Sequence, residues 1–126
     1  MLPIKTTLTT NAVSSGFTGI ALMIFNRFVA TIFEVNTTLP FLSTGIFLVA
    51  FSIMVLSVAF QKRISTGGVR LIIALDAIWV VGSLLLIVAG SHLISMIGLF
   101  LIAAVAGWVA LMIVLQVKGL QKLLSV

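Results

Sequence analysis

Cysteine and tyrosine are missing from this 126-residue chain, and histidine occurs once. Without cysteine there is no disulfide, no thiolate nucleophile, no iron–sulfur cluster and no cysteine-ligated zinc. A single histidine, His92, cannot build a zinc site or ligate haem on both faces. Acid is almost as scarce: Glu34 and Asp76 are the two carboxylates. No nucleophile–base pair and no phosphate-binding glycine spacing is present, and Gly67-Gly68 reads as a turn. The expectation is therefore no catalytic residues, no cofactor and no metal.

Charge of either sign is rare, at 7% of residues, whereas soluble domains carry about a quarter. Apolar residues make up 62% of the chain. A soluble domain this small has too little interior to hide them, so hydrocarbon is the solvent that fits. The net charge of +5 comes from scattered Lys and Arg at segment ends. They form no stripe for a phosphate backbone, which argues against a nucleic-acid partner. Headgroup anchoring explains them better.

Four apolar segments emerge, roughly 11–28, 41–60, 70–90 and 93–117, within a single transmembrane domain spanning 1–126. Each approaches the ~20 residues a span needs. The fold class expected is all-α: an integral membrane four-helix bundle of two antiparallel hairpins. The first segment is diluted by Asn11, Ser14, Ser15 and Thr18. It follows Lys5 as the apolar region of a signal peptide follows its basic start, but no A-x-A site follows, so a retained helix is expected. Pro40 suits the first turn of the second span, and Lys62-Arg63 stop it. The stretch from Phe28 to Leu39 mixes apolar and polar residues, as an interfacial amphipathic turn does. Gly90-Ser91-His92 is a tight turn joining the last two spans.

Lys5, Lys62, Arg63, Arg70, Lys118 and Lys122 fall on one side of a four-span model, and Arg27 on the other with Glu34 and His92. The positive-inside rule then places both termini in the cytoplasm, with a bacterial plasma membrane as the expected location.

The second half echoes the first. Gly45-Ile46-Phe47-Leu48-Val49-Ala50 matches Gly98-Leu99-Phe100-Leu101-Ile102-Ala103. Asn11-Ala12 matches Asp76-Ala77, and in that register Thr18 meets Ser83. A direct repeat of a hairpin and chance within a small apolar alphabet are evenly matched explanations.

Asp76 stands out, because a carboxylate within a span must be paired, solvated or protonated. Its helix face continues through Trp79 and Ser83, and the matching face of the first span carries Asn11, Ser15 and Thr18. The candidate polar or ion site is Asp76, Asn11, Thr18, Ser83 and Gln116, with Gln61 and Lys118 as further possible neighbours near the cytoplasmic interface. One reading makes Asp76 a proton or cation site. The other makes it a packing residue tied to Asn11 or a basic neighbour, and the expected closeness to the interface favours the second. Trp79 and Trp108 are read as packing anchors.

Small residues mark expected helix contacts: Ser15 and Gly19 in the first span, Gly45 and Ser52 in the second, Ala103, Gly107 and Ala110 in the last. Internal packing is expected of them ahead of self-association.

In size and span number the chain is similar to the small multidrug resistance transporters and the small fluoride channels. It lacks the acidic residue of the former's first helix and the Gly-rich, Arg-containing opening of the latter, so neither family is assigned. Two functions follow. The first is a non-enzymatic helical accessory, scaffold or lipid-interacting subunit, whose partners are the bilayer and another membrane protein or a second copy. The alternative is a small transporter or channel using Asp76.

Overall fold

The threonine-rich opening of the chain is helical, and several of its hydroxyls bond back to their own backbone. Thr9 donates to the Lys5 carbonyl at 2.8 Å, Thr10 to Thr6 at 2.9 Å and Ser14 to Thr10 at 2.9 Å. Such back-bonding to the preceding turn gives these hydroxyl protons a partner in an apolar setting. The computed structural model, which describes residues 3–125, accordingly starts α1 at Ile4 and runs it to Ile24. The expectation of a start near Asn11 is corrected: the helix takes in the polar side chains that dilute its apolar composition.

The chain breaks at Phe25 and turns by 88° into α2, Asn26–Phe33. The expected span 11–28 therefore ends early. Asn26 donates to the Met23 carbonyl at 2.8 Å, securing the corner. α2 ends on Glu34, in the left-handed region at φ 58°, with the Val35 N–H reaching back to the Ala30 carbonyl. This Schellman-like closure usually employs glycine. α2 is amphipathic, in keeping with the interfacial turn expected a few residues further on.

Three long helices follow: α3 Leu39–Ala59, α4 Thr66–Gly90 and α5 Met96–Leu124. Pro40 sits in the first turn of α3, where its missing N–H has no partner to lose. Ser65 caps α4 by accepting from the Gly68 N–H at 3.1 Å. Gly67 and Gly68 thus belong to the first helical turn, not to a loop. Ser95 caps α5 in the same way, from the Gly98 N–H at 3.0 Å. α5 also runs past its expected end, because Gly119 and Leu120 remain buried, Gly119 against Ile4 of α1.

The structure is all-helical, with five helices and no strand among the described residues. α3, α4 and α5 are each long and apolar enough to cross a membrane, and the bent pair α1–α2 raises the number to as many as four. α1 packs along α3, α4 packs along α5, and α1 touches α5; α3 meets α4 only slightly and α1 stays clear of the α4 backbone. The molecule is thus two helix pairs joined along one side.

The α1–α3 crossing is very close. A methyl group built on Gly19 would lie 2.7 Å from the Gly45 carbonyl oxygen, and one on Gly45 would lie 2.7 Å from that of Gly19. Only hydrogen fits at either position, so backbone meets backbone and dispersion acts at its best distance. Three residues earlier in α1 and seven later in α3, Gly16 faces Ser52. Ala103 and Gly107 do not repeat this role. Both are exposed, and nothing within 4 Å meets a methyl built on Gly107. Ala110 is half-buried, and Ala106 is the buried small residue of that helix. The expected internal contact at Ala103 and Gly107 is therefore corrected: four-residue spacing was right, but the helix turns that stripe away from its neighbours.

The dry core lies toward one end. Leu8 and Ala12 of α1, Phe51, Val55, Val58 and Ala59 of α3, Val69 and Ile72 of α4 and Leu120 of α5 form one cluster. This is the end that carries most of the basic residues, and Lys5 lies over the Phe60 ring at 5.0 Å there. At the opposite end α2 is tied to the start of α5. Ser95 donates from its hydroxyl to the Ile32 carbonyl at 2.6 Å and from its N–H to the Phe33 carbonyl at 3.0 Å.

Candidate functional site

Between these two closures, side chains from three helices meet in a buried polar cluster. α1 brings Asn11, α4 brings Asp76 and α5 brings Gln116, and these are 2%, 4% and 0% exposed. Asn11 Nδ2 donates to Asp76 Oδ2 at 3.0 Å and to Gln116 Oε1 at 2.8 Å. Gln116 Nε2 donates to the same Asp76 Oδ2 at 2.9 Å. Each residue bonds to both others, so the three form a closed ring. Ser15, one turn along α1, donates to Asn11 Oδ1 at 3.1 Å and fixes the orientation of that amide. The arrangement spends both Asn11 amide protons and one from Gln116.

The partners of Asp76 are neutral. Gln61 lies in the α3–α4 connection and accepts from the Ser65 N–H at 3.1 Å, and Lys118 is exposed on α5. Neither joins the cluster. Asp76 also stands further along its helix than the sequence suggested. With α4 beginning at Thr66, roughly 15 Å of helix precede it at 1.5 Å per residue.

A cavity of about 340 Å³ adjoins the ring. All four long helices line it. Ser14, Ser15 and Thr18 come from α1, Phe47 and Phe51 from α3, Asp76 and Trp79 from α4, and Trp108 from α5. Asp76 Oδ2 is taken by the two amides, while Oδ1 receives no hydrogen bond from the described residues. Phe47 stacks on Phe51 with centroids 6.1 Å apart and on Trp79 at 6.5 Å, making one aromatic wall across α3 and α4. Trp108 Nε1 donates to Ser14 Oγ at 3.1 Å, which holds its ring between α5 and α1. Trp79 Nε1 is buried and meets no acceptor among the described residues.

Of the residues singled out from sequence, Asp76, Asn11 and Gln116 are brought together, and Thr18 faces the adjoining cavity. Ser83 does not reach either; its hydroxyl bonds to the Trp79 carbonyl at 2.8 Å within α4. The aromatic wall escaped sequence reasoning, although Phe47 and Phe51 are spaced four apart and Trp79 follows Asp76 by three, both one-face spacings. No group of three or more His, Cys, Asp or Glu side chains able to hold a metal occurs among the described residues.

No family model matches the chain, and neither a curated protein nor a solved structure does.

Proposed function

We propose that this chain is a small, non-enzymatic, multi-pass membrane protein, a helical accessory, scaffold or lipid-interacting subunit, with the Asn11–Asp76–Gln116 ring serving as an internal clasp. The observation that carries this reading is the closure of the ring itself. A transmembrane polar group left unmet costs several kcal/mol, and here three of them meet one another from three helices. The clasp ties two helix pairs whose direct contact is limited to one side.

Four crossings, arranged as a bundle of two hairpins, fit this reading. α1 is less apolar than the others, yet it lies along α3 through Gly19, Gly16 and Leu8. A helix this closely paired with a span shares its depth. Lys5, Lys62, Arg63, Arg70, Lys118 and Lys122 then gather at one face, and the positive-inside rule makes that face cytoplasmic, with both termini there. The meeting of Asn11 with Asp76, positions matched in the sequence echo, supports a duplicated hairpin as its origin. A bacterial plasma membrane remains the location proposed.

Native mass spectrometry of the gently extracted protein tests the reading. Retained lipid, a partner or a second copy is the expected result. A bare monomer in every mild extraction would count against it. The Asp76→Asn variant should stay folded and keep those associations.

A second reading, transport or conduction through Asp76, is favoured by one observation: the cavity bordering that carboxyl group between all four long helices. Solute or ion flux in proteoliposomes, lost in Asp76→Asn while the fold persists, would move the balance to it.

A further inference from the structure

We propose that the cavity beside the clasp is a binding site for a small organic cation, an ammonium group carried on an apolar body. The inference requires neither transport nor a protein partner, so it stands or falls apart from both readings above. Three observations converge on it.

The first is the missing counter-charge. Asp76 is held by two amides, and amides supply protons without supplying charge. An ionised carboxylate away from water needs an opposite charge close by. Nothing in the ring provides one. The oxygen that takes no hydrogen bond from the described residues, Oδ1, belongs to a side chain that lines the cavity, so an incoming cation has a place to dock without breaking the clasp.

The second is the aromatic lining of the same cavity. Phe47, Phe51 and Trp79 form a stacked aromatic surface, and Trp108 adds a ring from α5. The negative faces of aromatic rings attract ammonium groups, most strongly where water is excluded. Carboxylate and aromatic face together select a cation; the aromatic wall alone would accept any apolar body.

The third is size. A volume of about 340 Å³ is at the small end of ligand sites, which span roughly 300–1,000 Å³. It holds a benzylammonium-sized molecule. The hydroxyl groups of Ser14, Ser15 and Thr18 border the same space and suit a ligand bearing one further polar group.

The test exploits the fact that the chain has two tryptophans, Trp79 and Trp108, and that both line this cavity. The purified protein in nonionic detergent is titrated with benzyltrimethylammonium while tryptophan emission is followed. The neutral isostere neopentylbenzene, with carbon in place of nitrogen, is the control. A saturable change with the cation, at least tenfold weaker with the isostere, is expected. Asp76→Asn should weaken the cation at least tenfold and leave the isostere unchanged. Ala104→Phe, which obstructs the cavity without touching the clasp, should abolish both signals. No saturable change, equal affinity for the two probes, or full binding by Ala104→Phe would overturn the proposal. The comparison of the two probes on the unmodified chain decides the matter even if Asp76→Asn does not fold.

Discussion

Asn11 and Gln116 are 105 positions apart in sequence, yet their amides bond at 2.8 Å and both donate to one oxygen of Asp76. Two neutral side chains thereby stabilise the single acidic residue of the long helices. The same bonds join the first helix to the last two. Architecture and electrostatics therefore depend on the same three residues.

Because the ring is shared, its members are not interchangeable in their effects. Asp76→Asn retains an acceptor oxygen and should lower the melting temperature little. Asp76→Leu leaves one N–H of each amide without its acceptor and should destabilise by about 1–3 kcal/mol. Thermal unfolding in detergent, followed by circular dichroism, compares the two.

The α1–α3 crossing predicts a sharp contrast between glycines. Gly19→Val and Gly45→Val force backbones apart that now leave no room for a methyl group, and each should cost about 1–3 kcal/mol. Gly107→Val meets open space and should change stability by less than about 0.5 kcal/mol. Equal losses at Gly19 and Gly107 in the same unfolding assay would refute the crossing.

Glu34 closes α2 at φ 58°, a conformation disfavoured by a β-carbon. Glu34→Gly should raise stability by about 1 kcal/mol by removing that strain. Ser95→Ala should lower it by about 1 kcal/mol, since it deletes a helix cap together with the bond to the Ile32 carbonyl. Opposite shifts in melting temperature for these two variants are the expected outcome.

The absence of cysteine makes topology directly measurable. Single cysteines at Arg63 and Lys122 should react with a membrane-impermeant maleimide from one side of sealed vesicles. Cysteines at Asn36 and His92 should react from the other. Labelling of Arg63 and His92 from the same side would rule out the four-crossing arrangement.

Much of this fold was legible because apolar length and end charges register directly in sequence. The span 41–60, bounded by Pro40 and by Lys62-Arg63, lies within two residues of α3 at each end. The start of α1 was hidden because threonine is polar in composition but back-bonded in a helix. The corner at Phe25 left no Gly or Pro to announce it, and the extension of α5 follows from Gly119 fitting against Ile4, a tertiary contact. Asp76 and Asn11 could be paired from helix-face periodicity, and Gln116 could be suspected from depth. Which small-residue stripe faced inward could not be read, because Gly19 and Gly107 occupy the same local pattern and differ only in what lies opposite. The aromatic wall needed the relative rotation of α3 and α4, which no single-helix period contains.

The clasp is tested most directly by a double-mutant cycle between Asn11 and Asp76 in detergent, using Asn11→Ala, Asp76→Ala and the pair. The structure predicts non-additivity of about 0.6–1.7 kcal/mol, since each single change already breaks the bond that the other would break. Strictly additive losses would mean that the two side chains do not meet.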